Sequence, residues 1–441
     1  MTSLVVVFLA AAACAPAAAT LPSASPTEAA TASPTARATQ SGLGAVVGVR
    51  ALRLDRHWYT VPDGLFHDPA RVEVEFAGNV SAGSPRVRID PAGLEVALQP
   101  AAASGVWTAN VDLRQLAPGS YKVGIVERVG GNDTLTATGA AGADLRVSQP
   151  EYVVWTLDFE GDASGDAELA NTAAIADELK IPMTVLWNPR VWTTTQVAQE
   201  RQDAMLAWTK ARMAKGDEIG LHLHMWTDYL SATGLVPRTA PSWAGRGDGY
   251  DVPITAYPEN EQQAMIGYGV KLMVQHGLPT PTSFRAGGDF ADAATLRAVA
   301  ASGFTADCTA VAKDYPPIGR IPYPWTLPAG AQPYQPSRSD ANATGDLPLL
   351  EAPTIGGNTF GFTVQTIQPQ IRANLALFAA AGNVANERKA ITVVSHPGTI
   401  VATERAAIEA LLGAFAGLRY DTDSGPVRFV TLAQLAKAYT P

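Results

Sequence analysis

The spacing of apolar and polar positions changes once along this chain, near residue 150. Before that point, short segments alternate apolar and polar residues and are separated by turn-forming residues, as strands with one buried face do. The clearest of these segments are Val72–Phe76, Arg86–Asp90, Val106–Val111 and Tyr121–Val126. We therefore predict a small all-β domain over residues 45–149, and the number and spacing of the strands favour an immunoglobulin-like sandwich.

After residue 150, apolar runs of strand length alternate with segments of helical periodicity. The predicted strands are Tyr152–Leu157, Met183–Trp187, Glu218–Met225, Ser283–Arg285 and Ile391–Val394. The predicted helices cover residues 167–179, 196–215, 259–277 and 293–302. Repeated βα units predict an α/β domain over residues 150–441, with a parallel sheet or (β/α) barrel whose functional residues gather at the carboxyl ends of the strands.

The N-terminal residues have the composition of an export signal rather than of a fold. Leu4–Ala13 is apolar, too short to span a bilayer as a helix, and of the length of a signal-peptide core. Small residues precede Cys14, as in bacterial lipoproteins, although no Lys or Arg precedes the apolar run. We expect residues 1–14 to be a lipoprotein-type signal with Cys14 lipidated. An ordinary cleaved signal and a chance apolar terminus are the alternatives.

The segment that follows is predicted to be a disordered linker. Residues 15–44 consist largely of Ala, Pro, Ser and Thr, and such a segment buries too little apolar surface to offset its ordering entropy. After a lipidated cysteine, it would tether the folded part to a membrane. The expected location is therefore outside the cytoplasm, as a cell-envelope lipoprotein or a secreted protein.

Length and composition limit the remaining possibilities. The chain has 441 residues, 47% of them hydrophobic, which predicts a globular protein of two or three domains. Its net charge of −9 and the absence of a basic run argue against a nucleic-acid partner. Apart from Cys14 the only cysteine is Cys308, which excludes a disulfide framework and is expected to be a buried apolar residue. No glycine-rich nucleotide-binding motif is present.

Two of the six histidines, His222 and His224, lie two positions apart in a strongly apolar predicted strand. If the intervening apolar residues face a core, the period of two places both imidazoles and Trp226 on the opposite face. Both rings would then be available to one metal ion. The alternative is a histidine pair that only forms hydrogen bonds with the neighbouring backbone.

Charged residues also follow other predicted strands. Asp158, Glu160 and Asp162 come directly after the first buried strand, and carboxylates this close repel one another unless a cation or a proton lies between them. A solvated loop with N-capping aspartates is the alternative. Arg285 and His396 each end another predicted strand. Singly, such residues are more often structural, but together they converge on one end of the predicted sheet.

The order of these motifs resembles that of the polysaccharide deacetylases of the NodB-homology type, in the wider carbohydrate esterase family four. The resemblance covers about residues 150–441. It is carried by Asp158 with its acidic neighbours and by Glu218–His222, Phe284–Gly287, Ser395–Pro397 and Phe429–Ala436.

The resemblance implies a distorted (β/α) barrel with a divalent metal, often zinc, that hydrolyses an N-acetyl or related carbon–nitrogen bond. His222 matches the first metal histidine of the family, and Glu160 or Asp162 would supply the metal carboxylate. The matching positions also imply that Asp158 is the general base, that Arg285 orients it, and that His396 protonates the leaving amine.

Two departures from the family pattern point to a divergent branch. The family spaces its metal histidines four apart, but position 226 is Trp, so His224 has to take the place of the second ligand. The usual Asp-Asp pair is Asp158-Phe159, which moves the metal carboxylate to Glu160 or Asp162. Trp226 is a candidate for stacking on a sugar ring, with core packing as the alternative.

These observations predict a metal-dependent hydrolase that removes N-acetyl or related acyl groups from a cell-surface or extracellular glycan. One alternative is a lipid-anchored glycan-binding protein on an inactive deacetylase scaffold. Another is a metal-dependent hydrolase of a non-sugar carbon–nitrogen bond.

Overall fold

In a computed structural model, the parts of the chain whose structure is described are residues 48–77, 85–103, 105–129, 132–136 and 142–440. The predicted signal, Cys14 and the predicted linker lie outside these residues. Among the helices of the described ranges, none is long and apolar enough to cross a membrane.

The alternating segments before residue 150 form two sheets that share one core. Their strands are β1 (Val49–Leu54), β2 (Trp58–Thr60), β3 (Ala70–Phe76), β4 (Arg86–Asp90), β5 (Leu94–Ala97), β6 (Gln99–Pro100), β7 (Val106–Val111), β8 (Gly119–Val129), β9 (Asn132–Thr136) and β10 (Ala143–Ser148). One sheet has the order β1-β3-β7-β6, and the other has the order β2-β10-β8-β4-β5 with β9 beside β8. Neighbouring strands are antiparallel, except that β2 pairs with β10 in parallel.

The alternation of apolar residues places one face of each sheet in this shared core. Val72 and Val111 from the first sheet pack in the same apolar cluster as Val87 and Ile125 from the second. This part of the chain is therefore all-β, with two sheets packed face to face. An immunoglobulin-like relationship stays a prediction.

The rest of the chain alternates strands and helices. The strands are β11 (Glu151–Asp158), β12 (Thr184–Trp187), β13 (Glu218–Leu223), β14 (Ser283–Ala286), β15 (Ala306–Asp307), β16 (Leu350–Glu351), β17 (Gly357–Asn358), β18 (Lys389–Ser395) and β19 (Val427–Phe429). The helices are α1 (Asp166–Leu179), α2 (Gln199–Ala214), α3 (Thr227–Thr233), α4 (Glu259–Gln275), α5 (Ala293–Ala301), α6 (Gln368–Leu377), α7 (Ala402–Gly413) and α8 (Leu432–Tyr439).

These strands form one parallel sheet, as predicted. The order is β16-β15-β14-β13-β12-β11-β18-β17, with β19 also paired to β11. Strand β11 is an interior strand, because β18 pairs along one edge, while β12 and β19 share the other. All eight residues of β11 are buried, which explains why its sequence is a continuous apolar run rather than an alternating one.

The sheet curls but does not close. In the described chain, the end strands β16 and β17 do not pair with each other, so the expected barrel is an open half-barrel. Curling is evident because Arg285 of β14 and Asn358 of β17, far apart in the strand order, line the same cavity. The carboxyl ends of the strands therefore surround one concave space.

The two sheets and the half-barrel belong to one compact unit, residues 45–441. Asp423, in the loop before β19, accepts hydrogen bonds from the backbone N–H groups of His57 and Trp58 at 2.9 Å. The guanidinium of Arg56 lies 3.7 Å from the centre of the Tyr420 ring. His57 pairs with the Asp423 carboxylate at 2.9 Å, so it contributes to this contact and lies outside the cavity at the sheet's carboxyl end.

Candidate active site

Three ligand-type side chains converge at the carboxyl end of the sheet. One donor atom from each of Glu160, His222 and His224 lies within 4.8 Å of the other two. Nε2 of His224 is 2.7 Å from Oε2 of Glu160, and Nε2 of His222 is 3.9 Å from the same oxygen. Burial alone would raise the pKa of Glu160, but the facing imidazoles, His224 foremost, hold that pKa well below its usual value.

Backbone contacts orient both imidazoles toward Glu160. Nδ1 of His222 is 3.0 Å from the carbonyl oxygen of Arg285, and Nδ1 of His224 is 2.8 Å from that of Tyr250. A carbonyl only accepts, so each Nδ1 carries a proton, and Nε2 is the nitrogen of each ring that can coordinate a metal once it is unprotonated. A Cβ at Gly287 would lie 2.5 Å from Nδ1 of His224, so the backbone can approach this ring only because residue 287 is glycine.

Asp158 and Arg285 form a buried ion pair beside these ligands. Nη1 of Arg285 is 3.5 Å from Oδ2 of Asp158, and both side chains are almost inaccessible to solvent. Arg285 also donates to Oγ1 of Thr354 at 2.7 Å and to Sγ of Cys308 at 3.2 Å. Burial alone would lower the pKa of this guanidinium, but the charge of Asp158 keeps it raised, so Arg285 stays a cation.

His396 reaches the same cluster from the neighbouring strand. It follows β18, whose last residue, Ser395, pairs with Leu157 of β11. Nε2 of His396 is 3.3 Å from Oε1 of Glu160. The two oxygens of Glu160 therefore face different imidazoles, with His224 on one and His396 on the other.

Two residues named from the sequence are placed differently from the expectation. Asp162 is exposed and is not in the ligand cluster, and Gly161 between the two carboxylates has φ +87°. Trp226 is only 4% exposed and is not among the residues that line the cavity. Its indole N–H donates to the carbonyl oxygen of Glu160 at 2.9 Å, so Trp226 supports a ligand instead of presenting a stacking face.

The strand that carries the histidines is shorter than expected. Strand β13 ends at Leu223, so His224 lies just beyond it, but the two imidazole centres are still 4.9 Å apart. The convergence of the rings therefore depends on the chain after β13 as well as on the period of two within it.

Sequence reasoning missed Tyr250, which lies in the long irregular segment between α3 and α4. Its hydroxyl donates to Oε2 of Glu160 at 3.0 Å, and its ring stacks on that of His224 with centres 4.0 Å apart. A tyrosine in a loop carries no periodic signal, so nothing in the sequence pattern could have identified it.

The ligand cluster, the Asp158–Arg285 ion pair and His396 all border one cavity of about 480 Å³. Asp158, Glu160, His222, His224, Arg285 and His396 line it together. Much of the remaining wall is aromatic: Trp243, Tyr250, Tyr315, Tyr323, Phe360 and Phe362.

Comparison with known proteins gives matches in structure only. No protein-family model matches the sequence, and neither does any curated protein. A protein from Mycobacterium smegmatis described as a polysaccharide deacetylase is 15% identical, with a TM-score of 0.41, covering 65% of this chain and 89% of its own.

Two further solved structures are similarly distant. A family 4 acetyl xylan esterase from Clostridium thermocellum, in complex with a cobalt ion, is 13% identical with a TM-score of 0.31, covering 64% of this chain and 89% of its own. A peptidoglycan deacetylase from Bacillus subtilis is 14% identical with a TM-score of 0.32, covering 66% of this chain and 91% of its own. At such identities and TM-scores, the function of this chain has to be argued from its own residues.

Proposed function

We propose that the protein is a metal-dependent hydrolase that removes N-acetyl or related acyl groups from an N-acylated glycan. The observation that carries the proposal is the convergence of two histidines and one carboxylate, within 4.8 Å of one another, in a cavity that Asp158 and His396 also line. A protein that only binds glycans needs no base and acid beside a metal-type ligand set, so the arrangement favours catalysis.

The donor set fits a divalent metal, and we propose zinc. Two imidazole nitrogens and one carboxylate oxygen are ligands that zinc accepts, and three protein ligands leave a coordination position open. Nε2 of His222 is buried and has no hydrogen-bond partner in the described part of the chain, which suits a nitrogen reserved for a ligand. When bound, such an ion polarises a substrate carbonyl and acidifies water.

Asp158 is the proposed general base. Its Oδ1 is buried and has no hydrogen-bond partner among the described residues, whereas Oδ2 faces the Arg285 guanidinium at 3.5 Å. The Arg285 guanidinium therefore attracts one oxygen and leaves the other free to take a proton from the attacking water.

His396 is the proposed general acid. Its side chain is 18% exposed at the cavity wall, so it can reach a substrate while remaining close to Glu160. Amide hydrolysis needs a proton on the departing nitrogen, because an amide anion is a poor leaving group, and an imidazolium can supply that proton. Asp158 and His396 would thus divide the two proton transfers between them.

The glycan substrate and the cell-envelope location belong to the same proposal. The motif order resembles that of polysaccharide deacetylases, and the aromatic wall of the cavity suits the apolar faces of sugar rings. Export and lipidation at Cys14 are supported by the apolar segment and small residues that precede it.

Metal content tests the ligand set directly. Wild-type protein and the His222→Ala, His224→Ala double variant should be purified with zinc, dialysed and analysed for bound metal. We expect about one zinc per wild-type chain and almost none in the variant. A matched control, His57→Ala with His276→Ala, also removes two imidazoles but leaves the cavity unchanged and should retain zinc. Equal metal in all three proteins would refute the site.

A further inference from the structure

One carboxylate in the cavity has no role in the hydrolysis described above. Asp289 follows β14 and lines the cavity together with Asp158 and Arg285. Within the described residues, its carboxylate makes neither a hydrogen bond nor an ion pair, although its backbone carbonyl accepts a hydrogen bond from the indole N–H of Trp325 at 2.7 Å. Trp325 therefore holds the backbone of Asp289, whereas the Asp289 carboxylate is available to bind a ligand in the cavity.

The backbone that carries the Asp289 side chain adopts an unfavourable conformation. Gly288 has φ +67° and Asp289 has φ +62°, so two consecutive residues are in the left-handed region that side chains with a Cβ disfavour. A Cβ at Gly288 would lie 2.6 Å from the Trp243 ring, so the segment is also pressed against an aromatic side chain. Strain of this kind persists where the surrounding structure imposes it, and it is concentrated at functional sites.

Aromatic side chains line the cavity together with Asp289. Trp243, Tyr315 and Tyr323 line the cavity, and buried Phe290 packs 5.3 Å from the rings of both Trp243 and Tyr323. Burial and then the charge of Asp289 raise the pKa values of Tyr315 and Tyr323, which line the same cavity as the carboxylate. The pKa of Asp289 itself is raised to about 7, first by burial and then by Asp158 and Glu160 against the opposing effect of Arg285.

A carboxylate beside aromatic faces is suited to a ligand that is apolar on one side and carries hydroxyl groups at its edge. We propose that Asp289, Trp243, Tyr315 and Tyr323 form a sugar-binding subsite, in which Asp289 accepts hydrogen bonds from hydroxyl groups of the substrate ring. The aromatic faces pack on the C–H face of that ring, and the ionised carboxylate forms charge-assisted bonds with its edge. The inference rests on the proposed function and identifies the residue that selects a glycan over a simple amide.

The variants can be chosen so that the backbone conformation is kept. Asn tolerates the left-handed region and keeps the shape of Asp289 without its charge, whereas Gly removes the carboxylate and relieves the strain. Asp314→Asn is the matched control, because Asp314 is an exposed aspartate that does not line the cavity. Zinc content should be the same for all four proteins, and each should unfold in one cooperative thermal transition.

The test is calorimetric binding of the β-1,4-linked tetramer of N-acetylglucosamine to zinc-loaded protein at pH 8, where the Asp289 carboxyl is ionised. Loss of hydrogen bonds to a charged acceptor should weaken binding by about 10-fold in Asp289→Asn and about 100-fold in Asp289→Gly. Hydrolysis of 4-nitrophenyl acetate, which has no hydroxyl groups, should change less than about 2-fold, a result that a general structural defect would not give.

Unchanged tetramer binding in both Asp289 variants would overturn the subsite, as would a wild-type protein that does not bind the tetramer. An equal loss in hydrolysis of the small ester would also overturn it, because Asp289 would then act on the reaction and not on the sugar. If the wild type binds the tetramer but releases no acetate from it, the proposed function is wrong. The subsite would still be tested, because its test compares tetramer affinity in the wild type and in the Asp289 variants.

Discussion

The indole of Trp226 offers a way to weaken the metal site without touching a ligand. Its Nε1 donates to the backbone carbonyl of Glu160 at 2.9 Å, and its ring lies against the Arg190 guanidinium at 3.6 Å. Trp226→Phe removes the donor and keeps an aromatic ring for Arg190. The Glu160 backbone would then lose a contact that holds its carboxylate in position between the imidazoles.

The size of the effect follows from one buried hydrogen bond. A bond of this kind contributes about 1 to 1.5 kcal/mol, and 1.4 kcal/mol corresponds to a tenfold change in an equilibrium constant. If the whole contribution serves to position Glu160, zinc affinity in Trp226→Phe should fall by about 5- to 10-fold. This lies at the lower limit of the losses of about 10- to 100-fold seen when residues that orient metal ligands are replaced.

The assay is zinc titration against a competing fluorescent chelator. Trp208→Phe is the control, because the indole of Trp208 donates to the carbonyl of Leu169 at 3.0 Å and so loses a comparable bond away from the ligands. We expect zinc affinity to fall in Trp226→Phe and to stay at the wild-type value in Trp208→Phe. Equal affinity in wild type and Trp226→Phe would refute the idea that Trp226 positions Glu160.

Two further predictions concern Asp158 and a buried carboxyl at the other end of β11. Asp158→Asn should retain zinc but slow acetate release from the glycan by about 100- to 10,000-fold, because the base is lost; undiminished turnover would reject Asp158 as base. Glu151 accepts the Ala379 N–H at 2.7 Å, and burial raises its pKa from 4.5 to about 7. Its folded pKa exceeds the unfolded one, so the protonated form stabilises the fold below about pH 4.5 and this contribution is lost as pH rises through 7. Glu151→Gln keeps a hydrogen-bond acceptor but does not ionise. Its free energy of unfolding relative to that of the wild type, measured by urea unfolding, should therefore rise by up to about 3 kcal/mol between pH 5 and pH 8. The same difference in free energy at both pH values would contradict the raised pKa of Glu151.

Much of the fold could be predicted because its signals are local. The core strand β11 is predicted at Tyr152–Leu157 and runs from Glu151 to Asp158, because a strand buried on both faces carries a largely apolar run. Helices α1, α2, α4 and α5 were predicted to within about three residues of their ends, whereas α3, α6 and α7 were not predicted. The α/β class and the parallel sheet therefore followed from pattern alone.

The site was only partly accessible from the sequence. Asp158, His222, Arg285 and His396 could be named because each lies at or near the carboxyl end of a strand, and parallel strands bring their carboxyl ends to one edge. Their convergence with Glu160 is a finding of the structure. The choice between Glu160 and Asp162 depends on the turn at Gly161, and sequence spacing cannot distinguish the two.

What the sequence determined by itself was the period of each segment, and with it the elements, the parallel sheet and the edge at which polar residues accumulate. Only the tertiary structure decided which side chains meet. Tyr250 and Asp289 reach the cavity from irregular segments, and Trp226 turns inward to hold Glu160 instead of facing a ligand. The physical reason is that periodicity encodes which face of an element is buried, whereas loop conformation depends on contacts between residues distant in the chain.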